Sequence, residues 1–188
     1  MNNMKIIETK LKDCYILEPD KFGDNRGWFS ESYNKKVFES LGLSYDFVQD
    51  NESFSAKKGV LRGLHFQSEP YTQAKVVRCT RGAVYDVAVD IRHDSPTYGM
   101  WVGVELSEEN GRQLLIPRGF LHGFQTLTDN VKFAYKCDNY YNKDSDGGVI
   151  YNDPDIGVVW PIADPILSEK DKKHPKLKEL VRDRGNLF

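Results

Sequence analysis

The sequence predicts an all-β fold, a jelly roll or small barrel with a few short helices, and three observations carry that prediction. Short runs rich in β-branched and aromatic residues recur along the chain and are cut by Gly, Pro, Asn and Asp. The clearest of these runs alternate with period two. Only one early segment has the apolar spacing of an amphipathic helix.

In chain order, the runs predict strands over residues 14–18, 27–33, 47–53, 60–66, 74–81, 83–91, 100–106, 112–116, 121–127 and 131–140. A helix is predicted over 35–41. Asn34 supplies a side-chain cap, Val37, Phe38 and Leu41 make the apolar stripe, and Gly42 ends it. In the run 83–91, Tyr85, Val87, Val89 and Ile91 share one side, and Val84, Asp86, Ala88 and Asp90 share the other. In 131–140, Val131, Phe133, Tyr135 and Cys137 point one way, and Lys132, Ala134, Lys136 and Asp138 the other. Such alternation implies one packed and one wetter side. A short helix is expected after Pro175, inside a stretch, 168–184, that reads as polar surface.

Composition narrows the class. The 188 residues predict one domain over 1–188, with a polar C-terminal tail from about 172. A formal net charge of −2 leaves no basic footprint for nucleic acid. No apolar run approaches the roughly 20 residues of a membrane span, and residues 1–13 lack the apolar core of a signal peptide. Cys14, Cys79 and Cys137 fit neither a disulfide framework nor a zinc finger, and read as buried fillers. The expectation is a reduced, cytoplasmic protein.

Polar residues inside apolar strands mark the candidate site. Residues 60–67 read Val-Leu-Arg-Gly-Leu-His-Phe-Gln. Arg62 and His65 are costly to bury unless partnered, and strict alternation would put them on opposite faces. Gly63 between them predicts an irregularity that lets both reach one cavity. Residues 116–124, Ile-Pro-Arg-Gly-Phe-Leu-His-Gly-Phe, place His122 at the start of a strand. Lys75 leads an apolar run, and Tyr135 faces inward by the alternation. No His-x-His pair is present: the place one would occupy is His65-Phe66-Gln67. No metal site is therefore expected. Taken alone, these patterns support a barrel with a polar-lined interior, which a non-catalytic sugar-binding protein would also have.

At these residues the chain resembles the dTDP-4-dehydrorhamnose 3,5-epimerases of deoxysugar biosynthesis. The similarity runs from about Ile6 to about Pro175 through the segments 22–31, 47–53, 60–67, 82–90, 116–124, 135–137, 153–157 and 167–171. The resemblance implies a cupin-type jelly roll, a homodimer without metal or organic cofactor, and epimerisation at C3 and C5 of dTDP-4-dehydro-6-deoxy-D-glucose on the route to L-rhamnose of cell-surface polysaccharide. A same-fold enzyme inverting one carbon, or taking another nucleotide sugar, is the alternative.

By motif position, the resemblance implies His65 as base, Asp171 as its carboxylate partner, Tyr135 as acid and Lys75 as the cation at the C4 oxygen. It implies Arg26 and Arg62 at the diphosphate. Phe22, Glu31, Gln49 and Asn51 fall in the substrate pocket, with the region of Phe22, Arg26 and Glu31 supplied from the partner subunit. His122 falls at sugar or phosphate, Tyr141 (with Tyr140 as substitute) against thymine, and Asp146 and Lys170 on the nucleotide side.

Overall fold

The computed structural model describes residues 4–185 and 188. Its strands are β1 (Met4–Glu8), β2 (Tyr15–Pro19), β3 (Phe22–Asp24), β4 (Gly27–Phe29), β5 (Gln49–Ser55), β6 (Leu61–Gln67), β7 (Lys75–Arg81), β8 (Ala83–Asp90), β9 (Trp101–Ser107), β10 (Gln113–Ile116), β11 (Phe120–Thr126), β12 (Val131–Cys137) and β13 (Asp146–Gly148). Helix α1 spans Lys35–Ser40 and α2 spans Leu177–Arg184, with a short 3-10 helix at Asp171–Lys173.

Two antiparallel sheets form the sandwich: a six-stranded one in the order β1-β2-β10-β7-β12-β5 and a five-stranded one in the order β13-β6-β11-β8-β9. Strands distant in sequence lie side by side in both sheets, and the jelly roll predicted by the strand pattern is the architecture found. The central core lies between the sheets. Val77, Leu114, Ile116 and Phe133 come from the six-stranded sheet and Val84, Ala88, Leu106 and Phe124 from the other. Burying each large side chain contributes about 1.5–3 kcal/mol.

Both outer faces are also covered in part. Helix α1 packs Phe38 against Leu17, Val76 and Leu115. Asn34 caps it, its side chain accepting from Lys36 N at 3.0 Å, and Gly42 follows with φ +78°. The predicted helix ends one residue early, because Leu41 already has non-helical dihedrals. On the other side, Leu177 and Leu180 of α2 pack on Leu64, Val87, Val89 and Leu121. The stretch read as polar surface therefore carries buried leucines, spaced three apart among charged residues. For the same reason both sides of β8 are packed, where alternation suggested one wet side.

The other differences are local. Strand β12 stops at Cys137 rather than at residue 140. Asp138 leaves the ladder to accept from Ala74 N at 2.7 Å and from Arg118 Nε at 2.9 Å. The predicted strand 27–33 shortens to β4, half of a hairpin with β3. Asp24 Oδ1 accepts from Arg26 N at 2.8 Å at its turn. Strands β1, β3 and β13 escaped the sequence reading. Two of them are three residues long, and β13 is Asp-Gly-Gly, with almost no side-chain signal.

Candidate active site

The cavity that matters lies between the sheets. It holds about 450 Å³ and is lined by Arg62 and His65 of β6, Lys75 of β7, His122 of β11 and Tyr135 of β12, together with Lys170 and Asp171. Another hollow of about 410 Å³ lies near Arg92 and Arg118. Its guanidinium groups are already engaged, Arg92 with Asp90 at 2.8 Å and Arg118 with Asp138 at 2.9 Å. In the first cavity, by contrast, Lys75 Nζ has no hydrogen bond or ion pair among the described residues.

Gly63 shapes this cavity. The β6–β11 register shifts there, so that His65 pairs with His122 and Arg62 with Phe124. Gly63 has φ +128°, and a Cβ on it would lie 2.6 Å from Gly123 Cα and 2.8 Å from His122 O. Only glycine fits. The irregularity brings Arg62 and His65 to one cavity, as the sequence predicted. Arg62 reaches over the mouth, donating to Phe54 O at 3.2 Å and Ser55 Oγ at 3.4 Å.

His65 and Asp171 are paired. His65 Nε2 lies 2.6 Å from Asp171 Oδ1, and Ser168 Oγ donates to Asp171 Oδ2 at 2.9 Å. Burial works against the charge on Asp171, but the His174 and His65 imidazoles and the Ser168 hydroxyl outweigh it and hold the carboxyl well below the usual range. Burial dominates at His65 and lowers its pKa. Asp171 opposes that shift, while Lys75 and His174 add to it. The imidazole is thus kept neutral and oriented by a carboxylate, the state a general base requires.

Tyr135 stands in the other sheet, with Asn51 of β5 as its register partner. Burial raises its phenol pKa, which keeps the hydroxyl protonated. Lys75 Nζ lies 5.7 Å from the Tyr135 ring centroid. Burial lowers the Lys75 pKa, opposed by Cys137, Asp146 and Asp86. An imidazole paired with a carboxylate therefore lines one wall, and a phenol with an ammonium group lines the other.

His122 pairs with Asp86, Nε2 to Oδ2 at 2.9 Å. Asp86 is fully buried, and burial raises its pKa against the pull of His122 and Lys75. Alternation put Asp86 on one side with Val84, Ala88 and Asp90, with no histidine on its own strand; the partner comes from the neighbouring strand. Asp146 gathers the rim. It accepts from the Tyr141 hydroxyl at 3.2 Å and forms an ion pair with Lys170. Gln49 joins this group, its Oε1 accepting from Tyr141 N at 3.0 Å and its Nε2 donating to Asn51 Oδ1 at 3.2 Å. Tyr140 and Tyr141 are both exposed.

Phe22, Arg26 and Glu31 are not brought to the cavity. Phe22 and Arg26 sit on the exposed β3–β4 hairpin with Trp28 and Phe29, and Arg26 Nη2 pairs with Asp24 of the same hairpin at 2.5 Å. Sequence reasoning missed Ser168 and His174. The polar composition around them hid that Asp171 is buried and that the His174 side chain is 9% exposed. His65, Asp171 and His174 also bring potential metal-ligand atoms within 4.8 Å of one another. The 2.6 Å approach within this group is a hydrogen-bond distance.

The family model described as dTDP-4-dehydrorhamnose 3,5-epimerase matches residues 8–179. A protein of that name from Shigella flexneri is 56% identical over 169 residues, covering 89% of this chain and 93% of its own. The crystal structure of dTDP-4-dehydrorhamnose 3,5-epimerase from Bacillus anthracis, with TDP and PPi bound, superposes with a TM-score of 0.91 at 53% identity. That match covers 93% of this chain and 100% of the other. The dTDP-6-deoxy-D-glucose-3,5-epimerase from Legionella pneumophila, in complex with dTDP-4-keto-L-rhamnose, gives a TM-score of 0.92 at 48% identity, covering 96% of each chain.

Proposed function

The chain belongs to the dTDP-4-dehydrorhamnose 3,5-epimerase family, and on that premise we propose how its own residues invert C3 and C5 of dTDP-4-dehydro-6-deoxy-D-glucose. It is an isomerase of the cupin-like fold. Both carbons flank the C4 ketone, so each C–H is acidified by that carbonyl. His65 takes the proton, leaving an enolate. Tyr135 returns a proton to the opposite face, and the centre inverts. His65 Nε2 donates its hydrogen to Asp171, so Nδ1 is the nitrogen that works on substrate. Lys75 faces the C4 oxygen, where a preorganised cation is worth about 10²–10³ in rate.

One observation carries this reading: the His65–Asp171 pair and the Tyr135–Lys75 pair line a single cavity from opposite sheets. Arg62 at the mouth suits a diphosphate, which a guanidinium binds bidentately. Tyr141, with Tyr140 beside it, offers a face to thymine. Asp146 and Lys170 hold the nucleotide side, Gln49 and Asn51 orient the sugar, and His122, fixed by Asp86, reaches the sugar or phosphate.

The reading includes a homodimer. Phe22, Arg26 and Glu31 lie outside their own chain's cavity, and the hairpin exposes Phe22, Trp28 and Phe29 together. An exposed cluster of this kind marks an interface. In the dimer these residues complete the partner's site, with Arg26 on the diphosphate. Residues 1–188 act as one jelly-roll domain, in support of which α2 packs on the five-stranded sheet. Three free, buried cysteines suit a reducing cytoplasm, and the product feeds L-rhamnose into cell-surface polysaccharide. The test is an assay coupled to a 4-ketoreductase specific for dTDP-4-dehydro-6-deoxy-L-mannose. Turnover that depends on this protein supports the reading, and its absence overturns it.

A further inference from the structure

A second imidazole stands beside the catalytic carboxylate. His174 Nε2 lies 3.5 Å from Asp171 Oδ1, the same oxygen that His65 holds. That nitrogen is buried and has no hydrogen-bond partner. The two rings stand edge to face, with centroids 5.5 Å apart. Room for the second ring comes from Gly148, the register partner of His65 on β13. A Cβ on Gly148 would lie 2.5 Å from His174 Nε2 and 2.6 Å from its Cε1. The glycine thus leaves open the place that the ring occupies.

We propose that His174 is a positioning residue that directs Nε2–H at Asp171 Oδ1, shares that oxygen with His65, and limits how strongly the carboxylate raises the basicity of His65. The inference rests on the reading of His65 as the base. Its physical ground is the orphaned nitrogen. A bare lone pair facing a buried carboxylate would be repelled, whereas an N–H there is attracted. Closing by a few tenths of an ångström makes an ordinary hydrogen bond, and catalytic hydrogen bonds commonly tighten when substrate binds.

The other charged or titratable groups around the cavity are Arg62 of β6, Lys75 of β7, His122 of β11, Tyr135 of β12 and Lys170 before the 3-10 helix. Asp86 of β8 stands behind His122, and Asp146 of β13 behind Lys170. Of these, Lys75 disfavours charge on His65, as His174 does, while Asp171 favours it. His174 differs from Lys75 because it acts on the very oxygen that His65 uses.

The test compares pH profiles of kcat/KM for wild type, His174→Phe and His174→Gln, with His65→Asn as control. Phenylalanine removes the donor, so His65 becomes more basic. The acidic limb then moves up by about half a pH unit, a roughly threefold loss of activity below the limb. Glutamine restores an N–H and leaves the limb near the wild-type position. An unmoved limb in His174→Phe, or an equal shift in both variants, overturns the inference. Nitrogen-15 NMR of the wild-type protein is independent of any folding defect: an Nε2–H tautomer at His174 supports the donor role, and an Nδ1–H tautomer overturns it. Retained turnover in His65→Asn would instead overturn the premise about the base.

Discussion

His65 and Tyr135 belong to different sheets, β6 and β12, yet line the same cavity. Inversion of a carbon needs proton traffic on two faces, and the two walls of the sandwich each present a titratable group to the cavity. The same arrangement separates the electrostatics. The imidazole is paired with a carboxylate on its own wall, and the phenol stands with an ammonium group on the other.

Tyr135→Phe keeps the ring that packs beside Phe133 and loses only the hydroxyl. Proton removal by His65 should continue, while inverted product falls by about 10²–10³, within the usual range for a positioned acid. Comparing loss of deuterium from labelled substrate with product yield separates the two steps. A wild-type yield would remove Tyr135 from its assigned role.

Mixing two inactive chains tests the dimer. His65→Asn lacks the base, and Arg26→Ala lacks the guanidinium given to the neighbouring site. A mixed dimer has one doubly defective site and one intact site. Subunit exchange should therefore restore activity, to about a quarter of wild type at equal amounts if pairing is random. Sites built within one chain would stay inactive after mixing.

Acid should weaken the fold in two stages. His65 has a lowered pKa in the native state, so the unfolded chain binds its proton first. Stability falls as pH drops below the ordinary imidazole value of about 6.5. Asp171 is also depressed, and its contribution is lost below the ordinary carboxylate value of about 3.9. Thermal unfolding from pH 8 to pH 3 reads both. His65→Gln should flatten the first stage and leave the high-pH plateau.

Gly63→Ala puts a Cβ 2.6 Å from the Gly123 backbone at φ +128°. Overpacking and the backbone conformation together should cost about 3 kcal/mol or more. Denaturant unfolding measures it, and a loss under 1 kcal/mol, on the order of a tolerated core swap, would show that the β6–β11 crossing has slack.

Much of this was legible in the sequence because alternation is a local signal. It fixed the inward side of β12, grouped Asp86 with Val84 and Ala88 on one side of β8, and marked Gly63 as the irregular point. What it could not fix depends on other strands. Asp86 finds His122 across a ladder, and β13 has too few side chains to show a pattern. Residues 171–180 read as surface because Leu177 and Leu180 are the only large apolar side chains in a run that is mostly charged. Their burial places His174 against Asp171, a relation no local pattern encodes.

Turnover in heavy water tests the central claim most directly. Wild-type protein acting on dTDP-4-dehydro-6-deoxy-D-glucose should deliver deuterium to both C3 and C5 of the inverted product, and His65→Asn to neither. Label at C3 alone would contradict the double inversion, and wild-type incorporation by His65→Asn would contradict the assignment of the base.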